Sequence, residues 1–115
     1  MELFQTAETL FESFDNDESL RITCSLTDAG SLLIDQVSEG PVTQWCFEES
    51  PHRVLVEVEP EGASRLASHF KAVETEQLPR LLGASFTGYD TSAQIRDLMR
   101  ELGIPYQVHE RAIVR

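Results

Sequence analysis

The chain has 115 residues, 41% hydrophobic and 25% charged, a composition that fits one globular domain and excludes a disordered polymer or a membrane span. Its net charge of −11 is uneven: residues 1–61 hold 14 Asp/Glu against Arg21 and Arg53, and the remainder holds six acids against seven bases. A half-chain this acidic repels nucleic acid and anionic membrane, and it steers encounter with a basic protein.

In chain order, Leu3, Phe4, Ala7, Leu10, Phe11 and Phe14 recur at spacings of three and four, which predicts an N-terminal helix. Asp15 to Ser19 end it with a polar turn. The period then switches to two: Leu20, Ile22, Cys24 and Leu26 alternate with Arg21, Thr23 and Ser25 in a half-buried strand. Thr27-Asp28-Ala29-Gly30 is a turn, residues 31–37 form the next strand, and Glu39-Gly40-Pro41 breaks it. Val42 to Glu48 read as a third strand with Trp45 and Phe47 on its buried face. After a turn at Glu49-Ser50-Pro51-His52, Arg53 to Glu59 form a fourth, with Val54, Val56 and Val58 facing one way.

Pro60 then opens a helix whose stripe is Ala63, Leu66, Ala67 and Phe70. A second short helix holds Leu78, Leu81 and Leu82, with Pro79 in its first turn. Thr91 and Gln94 read as a capping box, and Ile95, Leu98, Met99 and Leu102 as the stripe of a last helix that Gly103 and Pro105 stop. The tail from Ile104 to Val114 is expected to add a strand at the sheet edge. Together these elements predict one domain over residues 1–115, α+β in class, with an antiparallel four- to five-stranded meander packed on helices along one face.

Residues 1–14 have no basic stretch of the kind that opens a signal peptide, so the chain is expected in the cytoplasm with Cys24 and Cys46 reduced. Catalytic and ligand motifs are wanting. His52, His69 and His109 stand in no metal-ligand spacing, with His69 beside a helix stripe and His52 expected in an exposed turn. His109 and Glu110 point to opposite faces of any strand. Asp15-Asn16-Asp17-Glu18 begins like a calcium loop, yet Leu20 and Leu26 occupy its glycine and glutamate places. No phosphate-binding glycine pattern occurs. The sequence therefore gives no cofactor, no metal and no catalytic residue. On the outer sheet face, Asp35, Gln44, Glu48, Glu57 and Glu59 interleave with Leu33, Cys46 and Leu55, a mixture suited to protein binding.

A Gly-Ser-Leu-Leu-Ile strand (Gly30 to Ile34), an aromatic strand with Trp45 and Phe47, a Val-x-Val-x-Val strand and a late helix ending Leu102-Gly103-Ile104-Pro105-Tyr106 follow one another. In this order the chain resembles the small acidic immunity proteins of bacterial polymorphic-toxin and contact-dependent growth inhibition systems. Where those relatives often have a Gly-Asp-rich segment, Glu48-Glu49-Ser50-Pro51 stands here. The resemblance implies a non-enzymatic inhibitor that neutralises a cognate toxin domain, often a nuclease, whose phosphate-holding site is basic. The charge argument agrees in pointing to a basic protein, and Asp15, Asp17, Glu18, Glu39, Glu48, Glu49, Glu57, Glu59 and Glu61 are the expected charge donors to the partner's Lys and Arg. The free protein is expected as a monomer or weak homodimer. Two other readings are a self-associating or adaptor module and a small hydrolase or isomerase using His109.

Overall fold

Period-two burial carries the centre of the fold. In a computed structural model that describes residues 4–47, 50–86 and 88–112, the strands β1 (Phe4–Asp15), β2 (Glu18–Thr27), β3 (Leu32–Glu39), β4 (His52–Val58) and β5 (Gln107–Ala112) form one antiparallel sheet in that order. Ile22, Cys24, Leu26, Leu32, Ile34, Val56 and Val58 alternate along three strands and are buried on the same face. Against them pack α2 (Pro60–His69) through Ala63, Leu66 and Ala67, α3 (Leu78–Ser85) through Leu78 and Leu82, and α4 (Thr91–Leu102) through Ile95 and Met99. The protein is α+β, with its helices on one face of the sheet.

Residues 4–15 are a strand where the sequence predicts a helix. Asn16 and Asp17 sit at φ 52° and 64°, the mirror-image turn that suits a two-residue hairpin, so β1 folds straight back onto β2. A register shift between Thr9 and Phe11 inserts a bulge, and Leu10 and Phe11 consequently both meet the core. That extra residue gives the apolar positions the three-and-four spacing of a helix.

The second correction falls on residues 42–48. Pro41–Phe47 are a helix, α1, because β3 pairs directly with β4 from Leu32↔Val58 to Ser38↔His52. No pairing slot beside β3 is left for Trp45 and Phe47, and the strand preference of Val, Trp and Phe yields to topology. Trp45 is not core: it is 83% exposed. Phe47 leaves the predicted core as well, at 44% exposed, Leu20 only packs against the core and Val54 is half-buried, while the other predicted sheet-core residues hold their places.

Smaller differences follow the same logic. Thr91 is the first residue of α4, with its hydroxyl donating to the Gly88 carbonyl at 2.7 Å, so the expected capping box does not form. Gly103 does end that helix, at φ 71°, with the Gly103 and Ile104 amides returning to the Arg100 and Met99 carbonyls. His52 is buried rather than exposed, at 6%, with Nε2 2.8 Å from Glu110.

Candidate functional site

Glu18 decides how the acidic end of the sheet is built. Directly after the hairpin turn, its carboxylate accepts hydrogen bonds from the Val42 amide (2.8 Å), the Thr43 amide (3.1 Å) and the Thr43 hydroxyl. It thereby caps the first turn of α1 from another strand, satisfying amide groups that the helix itself leaves open. The Thr43 hydroxyl and then these amides hold the Glu18 carboxyl below its usual range, against some opposition from desolvation. Gly40 completes the joint. It sits at φ 140°, close against the Asp17 carbonyl, and its amide donates to the Ser50 hydroxyl at 2.9 Å.

The helix so fixed turns Thr43 inward, 2% exposed, and stacks Phe47 on the His52 ring at 3.9 Å between centroids. Trp45 lies about 200° round the helix from Thr43 and so points to solvent. Val42 (60% exposed) flanks it, and Phe14 (74%) stands on the neighbouring hairpin. Between hairpin and helix opens a cleft of about 570 Å³, lined by Phe14, Asp17, Ser19, Glu39, Gly40, Pro41, Gln44 and Ser50. Trp45 stands one helical turn beyond Pro41 and next to Gln44 in sequence, both of which line the cleft. Asp15 and Asp17 are exposed and make no ion pair among the described residues.

The nine acids singled out in the sequence do not form one surface. Asp15, Asp17, Glu18 and Glu39 gather at the hairpin and α1, whereas Glu57, Glu59 and Glu61 lie at the far end of β4, about 20 Å away by strand length. Glu48 and Glu49 lie outside the described residues. At the far end, Glu57 reaches His109 Nε2 at 3.3 Å, and Glu59 and Glu61 occupy the start of α2, where negative charge is favoured. Glu18 is taken up by its cap.

The outer sheet face does carry Asp35, Glu57, Leu33 and Leu55, as the alternation requires, but its charges are compensated. Arg53 forks onto Asp35 at 2.8 and 2.7 Å, and Arg21 onto Glu12 at 3.1 and 2.6 Å. Gln44 and Cys46 sit on α1 instead. Both cysteines are free, Cys46 exposed and Cys24 buried, with burial pushing the Cys24 thiol up to about 12. His109 and Glu110 do face opposite sides, towards Glu57 and His52 respectively. Among the described residues no group of three His, Cys, Asp or Glu is placed to hold a metal ion, and no helix is long and apolar enough to cross a membrane.

Phe14, Val42 and Trp45 are the members of this site that sequence reasoning missed. The available signal was Gly40-Pro41, which starts a helix as readily as it breaks a strand. No protein-family model, curated protein or solved structure matches the chain.

Proposed function

We propose that the chain is a toxin-neutralising immunity protein that binds and inhibits a basic, nuclease-like toxin domain through its acidic surface, without enzymatic activity of its own. One observation carries this reading: unpaired carboxylates of Asp15 and Asp17 stand beside exposed Phe14, across a cleft from the helix α1 that exposes Trp45, in a strongly acidic half-chain. Apolar contact supplies affinity, and uncompensated charge supplies rate and choice of partner. Of the features behind the family resemblance, the strand at Gly30–Ile34, the Val-x-Val-x-Val strand and the late helix have counterparts in β3, β4 and α4, while the aromatic strand is α1.

The test is capture on the immobilised protein from a lysate of its host at low salt, followed by elution with rising salt. A basic domain whose nuclease activity this protein suppresses at equimolar ratio supports the reading. Retention of nothing basic, or of a basic domain whose activity is unaffected, refutes it. Reversal of Asp15 and Asp17 together should slow association far more than dissociation, since steering lifts association from about 10⁵–10⁶ towards 10⁸–10⁹ M⁻¹s⁻¹ at low salt.

Self-association is the second reading. It is favoured by the outer sheet face, where Arg53–Asp35 and Arg21–Glu12 cancel charge around half-buried Leu33 and Leu55. A molecular mass that rises with concentration and not with falling salt would favour it.

A further inference from the structure

Acidic residues occupy both ends of the sheet, but exposed apolar side chains join them at one. Of seven large hydrophobic residues well exposed among the described residues, Phe14, Val42, Trp45 and Phe47 belong to the hairpin and α1, and Val73, Tyr89 and Val108 are scattered elsewhere. Single exposed apolar residues are ordinary, whereas Phe14, Val42 and Trp45 on adjoining elements mark a contact surface, with Phe47 turned the other way onto His52. At the far end, beside Glu57 and Glu59, the apolar neighbours are Pro105 and a half-buried Tyr106.

We propose that the cleft between the hairpin and α1 docks a segment of the basic partner in which arginine stands beside apolar side chains. The guanidinium lies over the Phe14 ring and against the Asp17 carboxylate, while an adjacent apolar side chain covers Trp45 and Val42. This deepens the reading of the chain as a binder of a basic protein and rests on it. Charge fixes the occupant. A second copy would bring Asp15 and Asp17 against their own kind, and a nucleic acid would bring phosphates against carboxylates. A cation between a ring and a carboxylate meets both a π face and a pair of acceptor oxygens for a planar fork, which arginine satisfies and lysine does not. The cleft of about 570 Å³ admits one such side chain with room for its neighbours.

Trp45 is the only tryptophan, so its emission reports this surface alone. The probes are short synthetic peptides alternating Arg with Leu, Arg with Gly, and Lys with Leu, titrated into the full chain at 150 mM salt. The Arg–Leu peptide should shift Trp45 emission to shorter wavelength and shield it from iodide. By anisotropy of a labelled peptide, Trp45→Ala should weaken that binding at least about 30-fold and Phe14→Ala about 10-fold, as for buried aromatic anchors. Circular dichroism checks that both variants fold, and the quenching experiment needs no variant. Reversal of Glu57, Glu59 and Glu61 together should change affinity less than about threefold.

The docking site is overturned, with the wider reading intact, if a cationic peptide binds while Trp45 stays open to iodide. Equal binding of the Arg–Gly or Lys–Leu peptide, or indifference to Trp45→Ala and Phe14→Ala, overturns it too. Shielding of Trp45 that grows with protein concentration alone would assign the surface to a second copy. Failure of every cationic peptide to bind at any salt concentration would remove both the site and the reading beneath it.

Discussion

Replacing Gly40 with alanine tests whether the hairpin and α1 are one rigid joint. At φ 140° the backbone favours glycine, and an added Cβ would lie 2.5 Å from the Asp17 carbonyl oxygen and 2.8 Å from Glu18 Cα. Both neighbours are main chain, so neither can rotate aside. The strained φ costs about 1–3 kcal/mol, and the forced separation adds about 1–3 kcal/mol. Gly30 supplies the control. It also has positive φ, 93°, but its added Cβ would make an ordinary 3.5 Å contact with Pro60. Gly30→Ala should therefore show the strain without the clash. In urea unfolding at constant m-value, Gly40→Ala should lose about 2–6 kcal/mol, and exceed Gly30→Ala by about 1–3 kcal/mol. If the two variants agree within about 0.5 kcal/mol, the joint is not rigid and the site it builds is not preorganised.

The remaining expectations concern thiols, packing and pH. Cys46 should react at once with a disulfide reagent at pH 8 and Cys24 only on unfolding, with two fast thiols refuting the burial of Cys24. Because the folded Cys24 thiol is raised from 9.0 to about 12, the native state keeps a proton that the unfolded chain releases. Its stability contribution is complete below pH 9 and lost as pH rises towards 12, so Cys24→Ala should flatten stability over that alkaline range. Gly62→Ala should destabilise in thermal melts despite better helix propensity, since the new Cβ would lie 2.9 Å from both Ile104 Cγ2 and Val58 Cγ1. Glu18 carries the opposite pH sign. Its lowered carboxyl keeps the α1 cap complete above about pH 4.5 and loses it as pH falls, so Trp45 emission should change on acidification before the sheet unfolds, and Glu18→Gln should abolish that early step.

Much of the fold was legible because burial imprints a period. Ile22, Cys24 and Leu26, and Val56 with Val58, face helices on one side only, and the alternation follows. Pro60 and Gly103 mark helix ends by backbone constraints that do not depend on neighbours. The two misread segments depend on partners far along the chain. A bulge opposite β2 gives Leu10 and Phe11 a helical spacing, and direct β3–β4 pairing excludes Val42–Phe47 from the sheet. Neither cause is local, so neither is visible in a window of residues.

The site was partly hidden for the same reason, and Glu18 shows how. Read along the chain, Asp15, Asp17 and Glu18 are three equal charges in a polar turn. In the fold, Asp15 and Asp17 remain unpaired beside Phe14, while Glu18 crosses to the start of a helix 24 residues on and fixes Trp45 in the open. Formal charge therefore overstates the number of acids available to a partner. At the other end, Glu59 and Glu61 likewise stand where the start of α2 already favours them. What distinguishes a recognising carboxylate from a structural one is the absence of an internal donor together with an apolar surface beside it. Among the described residues, Asp15 and Asp17 meet both conditions, and that is why charge reversal there, rather than at Glu18, separates recognition from folding.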